Sequence, residues 1–266
     1  MKAAHPEATP IAGGTDVMVE LNLDHNRPVA ILDLTRIAEL TAWGMDDGVL
    51  RVGAGVTYTR LIDELGDRLP GLAMASRTVG SPQIRNRGTV GGNLGTASPA
   101  GDAHPPLLAS DAVVELASTT GTRRIPVREF FTGPKKNAMR EDELIAAFLI
   151  EPAAGAQQFS KVGTRNAMVI AVCSFALALD LVHRRVGTGI GSAGPTPLRA
   201  VEAEEFIRGE LDWEGRRPVG DSAIDRFGEL VAAAAKPIDD VRGTAAYRRH
   251  ALAVLARRCL GWAWAA

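Results

Sequence analysis

Hydrophobic and polar positions change their rhythm near the middle of the chain. Up to about residue 155, short β-like runs alternate with glycine-rich turns and helical stretches. Residues 29–34 and 50–54 read as strands, and residues 57–65 place apolar side chains at helical spacing behind Thr57, a hydroxyl able to cap them. This alternation predicts α/β or α+β layers. Small residues and proline interrupt it at Glu151-Pro152-Ala153-Ala154-Gly155-Ala156, which marks a boundary. Beyond it, residues 159–162, the nearly continuous apolar run 169–181 and residues 186–191 read as buried strands with short connections, which predicts an antiparallel sheet. The tail reads as helices over 197–207, 223–235 and 244–260, separated around Gly215, Pro218 and Pro237. No internal repeat or low-complexity tract interrupts this order.

Composition narrows the function classes. A chain of 266 residues exceeds the usual single-domain size, so two units are expected, residues 1–154 and 155–266. Lys and Arg number 30 against 31 for Asp and Glu, a net charge of -1 that offers no basic footprint for nucleic acid. No apolar run approaches the length of a membrane span and the first residues carry no apolar leader, so a soluble, cytoplasmic chain is expected. The two cysteines, Cys173 and Cys259, read as buried thiols; they are too few for an iron–sulfur cluster or a structural zinc. His25, His183 and His250 share no metal-ligand spacing, and no metal site is expected.

Two glycine-rich stretches carry the candidate chemistry. In Ile11-Ala12-Gly13-Gly14-Thr15-Asp16-Val17, adjacent glycines bare consecutive N–H groups to an anion such as a pyrophosphate, with Thr15 as a further donor; a tight turn held by Asp16 explains the same residues. Thr89-Val90-Gly91-Gly92-Asn93-Leu94-Gly95-Thr96-Ala97-Ser98-Pro99 reads as a second glycine loop and lacks both the Rossmann and the P-loop fingerprint, which argues against an independent NAD-dependent dehydrogenase. Asp102 either caps the helix expected after it or accepts from ribose hydroxyls, and His104 between Ala103 and two prolines reads as structural. Arg85 and Arg87 either face a ligand or partner or are solvated loop charges.

Three ordered stretches now become specific. Ala12-Gly13-Gly14-Thr15-Asp16, then Ile84-Arg85-Asn86-Arg87-Gly88-Thr89-Val90-Gly91-Gly92-Asn93-Leu94, then Ala97-Ser98-Pro99-Ala100-Gly101-Asp102 resemble the signature of the FAD-binding medium subunits of molybdenum hydroxylases. Lys161-Val162-Gly163-Thr164-Arg165, Gly194-Pro195-Thr196-Pro197-Leu198-Arg199 and Pro237-Ile238-Asp239-Asp240-Val241-Arg242-Gly243 are similar to the C-terminal domain of those subunits. The matches span nearly the whole chain.

The resemblance implies an α+β fold. Residues 1–154 would form an FAD-binding α/β domain of the vanillyl-alcohol-oxidase type, with two subdomains meeting near residue 55, and residues 155–266 a three-stranded antiparallel sheet with helices. Ile11, Ala12, Gly13, Gly14, Thr15, Asp16 and Val17, with Thr89, Val90, Gly91, Gly92 and Asn93, would hold the FAD pyrophosphate. Asp102 would contact the cofactor. Lys161 would be the catalytic residue, a cation near the flavin that stabilises its reduced anion and raises its potential. Val79 stands where some relatives carry an aromatic ring over the flavin, and Phe159 is the candidate substitute. The resemblance implies a further strand and helix before the first glycine stretch, so either the start of the chain is misplaced or the first subdomain is pared down.

The same resemblance implies partners: a small subunit with 2Fe-2S clusters, a large subunit with molybdopterin, and NAD+ or another acceptor. Residues 13–22 and 160–172 look most like the purine-oxidising, xanthine dehydrogenase-type members. Flavoproteins of carbon monoxide dehydrogenase or aldehyde oxidoreductase are the alternative, and a flavin-free scaffold with a shortened N-terminus is the alternative of another class. Leu260-Gly261-Trp262-Ala263-Trp264 is a candidate partner contact, since two tryptophans at a chain end are otherwise exposed.

Overall fold

The computed structural model describes residues 1–24 and 27–266; His25 lies outside the described residues. The chain opens with β1 (Thr9–Ile11), α1 (Val17–Asn22) and β2 (Ile31–Asp33). β1 and β2 pair in parallel, Thr9 opposite Ile31 and Ile11 opposite Asp33, so the first glycine stretch leaves the end of β1 and leads into α1. Then follow α2 (Ala38–Thr41), β3 (Trp43–Asp46), β4 (Val49–Gly53), and a run of five helices, α3 (Tyr58–Leu65), α4 (Pro70–Arg77), α5 (Pro82–Arg85), α6 (Val90–Thr96) and α7 (His104–Ala109). Hydroxyls start three of them: Thr57, Ser81 and Thr89 accept the amides of Arg60, Ile84 and Gly92.

After α7 come β5 (Val113–Ser118), β6 (Gly121–Pro126), α8 (Val127–Phe130), β7 (Phe131–Gly133), β8 (Lys136–Asn137) and β9 (Leu144–Ile150). β9 is apolar at every position and takes the central place in an antiparallel sheet of order β3-β4-β9-β5-β6. Leu61, Leu65 and Leu72 from the helices join Leu50, Val52, Phe148 and Phe130 in one core. Each such side chain contributes about 1.5–3 kcal/mol by leaving water.

The remaining strands, β10 (Gln157–Val162), β11 (Cys173–Asp180) and β12 (Arg185–Gly191), form the expected three-stranded antiparallel sheet. The apolar run 169–181 is not all strand: Ile170 stands 54% exposed in the loop that precedes β11. Three helices follow, α9 (Val201–Glu210), α10 (Asp221–Ala234) and α11 (Ala245–Ala265). α9 begins at Val201 and not near 197, because Leu198 is taken up in two backbone hydrogen bonds with Ile190 of β12 (2.8 and 3.0 Å). Cys173 and Cys259 are both buried free thiols in the second core.

The terminal tryptophans correct one expectation. Trp264 is 6% exposed: its indole N–H donates to the Arg217 carbonyl at 2.7 Å, Arg216 lies over its ring at 4.1 Å, and Trp213 meets it edge-on at 5.6 Å. Its surface is spent inside the chain, so it is not the exposed liability that suggested a partner contact; only Trp262 stands half exposed.

α7 joins the two cores. It lies on β12, whose glycines alternate with larger residues: a Cβ on Gly187 would stand 1.9 Å from the Ala109 carbonyl oxygen, and one on Gly189 2.0 Å from that of Pro105. Backbone therefore meets backbone at this seam, which any side chain would force apart. Phe159 seals the adjoining space, buried among Ala75, Ala109 and Ala176.

Candidate functional site

The first glycine stretch runs against the second. A Cβ on Gly13 would overlap the Arg87 carbonyl oxygen at 2.0 Å, so only glycine admits this approach, and Gly14 adopts a left-handed φ of +78°. The N–H groups of Gly13, Gly14, Thr15, Asp16 and Val17 donate to no group among the described residues, and the Thr15 hydroxyl is equally free. Consecutive unpaired amides form a concave donor surface suited to an anion. Asp16 does not close its own turn: its Oδ2 accepts from Thr96 Oγ1 on α6 at 3.0 Å. Nearby, Lys135 binds Glu20 of α1 at 3.0 Å.

The second glycine stretch is a helix where a loop was expected. Thr89 caps it, and Gly91 sits so close to Ala54 that a Cβ would stand 2.4 Å from the Ala54 side chain. Val90 and Gly91 thus turn into the first core. Gly92 and Asn93 remain half-buried; a Cβ on Gly92 would meet only the Thr89 hydroxyl within 4 Å.

Asp102 caps no helix, since α7 starts after Ala103 without a side-chain cap. Its Oδ2 instead accepts from Lys161 Nζ of β10 at 2.6 Å and from Thr78 Oγ1 at 3.3 Å, and Lys161 also donates to the Thr78 carbonyl at 3.3 Å. Burial pushes the Asp102 carboxyl above its ordinary pKa, while the Lys161 charge and the two hydrogen bonds pull it back. Asp102 Oδ1 is buried with no partner. His104 is fully buried, its Nε2 3.1 Å from the Asn93 carbonyl and its ring against Phe131. Burial lowers its pKa to about 4 against the pull of the Asn93 and Ser98 carbonyls.

Gly13–Asp16 thus face the α6 segment, and Asp102 meets Lys161; Ile11 ends β1 and Ala12 follows it, both half-buried, and Val17 is the first residue of α1. Arg85 closes the turn before α5 by donating to the Val79 and Gly80 carbonyls at 3.1 Å, and Arg87 is exposed, its backbone alone meeting Gly13. Three residues escaped sequence reasoning. Tyr58 is 3% exposed, its backbone N–H donates to the Gly88 carbonyl at 3.0 Å just before the second glycine stretch, and burial, with smaller pushes from the charges of Asp102 and Asp16, drives its phenol pKa up. Thr78 belongs to no motif, and Thr96 lay inside one without a visible partner. Among the described residues, no three His, Cys, Asp or Glu stand close enough to hold a metal, and no helix is long and apolar enough to cross a membrane. A separate cleft of about 230 Å³ between β11, β12 and α9 is lined by charges that pair with one another, such as Arg185 with Asp180 and Arg199 with Glu204.

Comparison with known proteins agrees with this geometry. Residues 1–152 match the FAD binding domain in molybdopterin dehydrogenase, and residues 158–263 match the CO dehydrogenase flavoprotein C-terminal domain. The xanthine dehydrogenase FAD-binding subunit of Escherichia coli O157:H7 is 32% identical over 279 residues, covering 99% of this chain and 91% of that one. The nicotinate dehydrogenase FAD-subunit of Eubacterium barkeri is 34% identical over 210 residues, 75% of this chain and 71% of that one. Among solved structures, carbon monoxide dehydrogenase from Hydrogenophaga pseudoflava superposes with a TM-score of 0.89 at 26% identity, covering 97% of this chain and 90% of the other. The unpaired amides, the close-packed glycines and the two matched segments together place this chain in the family of FAD-binding medium subunits of molybdenum hydroxylases.

Proposed function

We propose that this chain is the flavin relay of a purine-oxidising, xanthine dehydrogenase-type enzyme, receiving electrons from the 2Fe-2S clusters of a small subunit while a molybdopterin-bearing large subunit oxidises xanthine or hypoxanthine in the cytoplasm. The observation that carries the reading is the run of unpaired amides from Gly13 to Val17, set against the α6 segment. These donors, the free Thr15 hydroxyl and the orphaned Asp102 Oδ1 fit FAD: the Ile11–Val17 backbone and the backbone of Thr89 to Asn93 would hold its pyrophosphate, and Asp102 would accept from the cofactor. In this reading residues 1–154 are the cofactor-binding unit, divided near residue 55, and residues 155–266 the C-terminal unit.

When bound, FAD exchanges a hydride with nicotinamide and single electrons with clusters. The protein's part is to fix and to charge the site. Lys161, held by Asp102 and the Thr78 carbonyl, would supply a fixed cation that stabilises negative charge developing on the flavin when it is reduced. With only two cysteines the chain supplies no cluster, so electrons arrive from a partner. The 32% identity to a xanthine dehydrogenase subunit supports the purine reading, and the superposition on carbon monoxide dehydrogenase supports the second one, a carbon monoxide or aldehyde-oxidising complex.

The test uses the full chain reconstituted with FAD. It should be yellow, reduce an artificial acceptor with NADH, and oxidise xanthine only after both partner subunits are added. A colourless chain that takes up no FAD favours the scaffold reading. Xanthine turnover by the isolated chain, free of molybdenum and iron, overturns the relay. Identification of the large subunit that copurifies decides between the purine reading and its rival.

A further inference from the structure

Ser192 follows the last residue of β12 in a conformation that suits glycine: its φ is +60°, and it is buried. A left-handed backbone disfavours any L side chain, so a serine here carries a cost that glycine would not. Hydrogen bonds offset that cost. Every polar group of the residue is engaged, and each reaches a different segment. The N–H donates to the Pro99 carbonyl at 2.8 Å. The hydroxyl donates to the Ala171 carbonyl at 2.7 Å. The Ser192 carbonyl accepts from the guanidinium of Arg248, which is itself buried and paired with Asp240.

Two of these segments lead to the pair of Lys161 and Asp102. Pro99 lies in the turn 98–101, closed by the Gly101 N–H on the Ser98 carbonyl at 3.0 Å, and Asp102 is the next residue. Ala171 ends the loop that returns from β10; directly after it the Val172 N–H donates to the carbonyl of Val162, the neighbour of Lys161, at 2.8 Å. The sheet adds a third tie. Lys161 pairs with Ser174 and Ser174 with Gly191, so Lys161 and the residue before Ser192 stand in one row across three strands. The carboxylate and the cation come from distant parts of the sequence, and the backbone around each is anchored at one buried serine.

We infer that Ser192 is a positioning residue, a junction that sets the Asp102 turn against the Lys161 strand and so fixes where the cation stands toward the cofactor. The inference rests on the reading of the site as an FAD site and deepens it. Ser192→Gly is the informative change. It relieves the left-handed backbone and keeps the N–H and carbonyl, but it removes the hydroxyl and leaves the buried Ala171 carbonyl without its donor.

The first measurement needs no cofactor. The Lys161 side chain, 7% exposed, reacts with an acylating reagent only from an opened state, whereas Lys135, 62% exposed, reports the reagent itself. The full chain is labelled with acetic anhydride and the sites are mapped by mass spectrometry. Lys161 should be labelled roughly three- to tenfold faster in Ser192→Gly than in wild type, the opening that one lost hydrogen bond permits, with Lys135 unchanged. The second measurement is the midpoint potential of FAD bound to each chain. It should be lower in the variant, because the reduced flavin anion is less well served by a loosened cation. A labelling rate equal to wild type, or one raised only in step with the global unfolding constant from urea denaturation, overturns the inference. So does an unchanged flavin potential in a variant that labels faster. If the labelling behaves as expected and yet wild type takes up no FAD, the FAD reading fails while the junction stands.

Discussion

Lys161 Nζ lies 2.6 Å from Asp102 Oδ2, and the two side chains keep only 7% and 9% of their surface in solvent. The pair ties β10 to the segment that leads into α7, across 59 positions of sequence. A cation held this way cannot be removed without stranding its partner.

Lys161→Met should therefore cost stability as well as flavin tuning. Burial already raises the Asp102 carboxyl, and without Lys161 it rises further. Between the ordinary and the raised pKa the folded chain binds a proton that the unfolded chain does not, so stability falls as pH climbs through that window. The variant is expected to lose about 3 kcal/mol at about pH 8 and much less at about pH 5, and Lys161→Met with Asp102→Asn should recover most of it. Urea denaturation at the two pH values checks this; an equal loss at both would refute it.

Gly13→Ala should separate the two glycine stretches, since its Cβ would fall on the Arg87 carbonyl. The expected result is at least a tenfold loss of FAD affinity and about 1–3 kcal/mol of stability. Gly261→Ala, whose Cβ would meet nothing within 4 Å, is the control. FAD titration and thermal melts of both variants measure the difference, and parity between them would count against contact at Gly13.

His104 gives acid sensitivity of the opposite sign. Its pKa drops from 6.5 to about 4 on folding, so between those values the unfolded chain binds the extra proton. Stability is then lost as pH falls from about 6.5 through about 4, by about 3 kcal/mol in all. Folded His104→Phe should have a flatter profile across that range, and a profile as steep as wild type would show that other groups carry the loss.

Thr89→Ala removes the hydroxyl that accepts from Gly92 at 2.9 Å. A lost cap costs about 1 kcal/mol, and α6, with three glycines in seven residues, has little intrinsic helicity to spare. FAD affinity should fall several-fold, while Thr89→Ser restores it. Loss of affinity in the serine variant would point to the methyl group instead.

The first glycine stretch was legible because Gly13 and Gly14 stand together after an apolar strand, and the three-stranded sheet because each apolar run ends at a break. Helix α6 was not: its glycines signal a loop, and tight packing of Gly91 on Ala54 overrides propensity. The run 169–181 misled for the reverse reason, as hydrophobicity alone does not say that Ile170 sits outside the sheet. The pairing of Lys161 with Asp102 has no periodicity to betray it; the family resemblance brought both to the site, but not to each other. Tyr58 was hidden as an ordinary helix residue, because what sets it apart is its burial, which no local pattern shows.

The glycine-lined edge of β12 has a mechanical meaning. At the seam with α7 there is no layer of rotatable side chains at Gly187 and Gly189 to absorb a displacement, so a shift of the C-terminal sheet is transmitted to the α7 backbone that begins with His104. A subunit docking on that sheet could thus alter the grip on the cofactor without touching it. For the same reason the two halves are poor cassettes: a chimaera that joins residues 1–154 to the second half of a relative would work only if the relative's strand were equally bare where α7 lies on it.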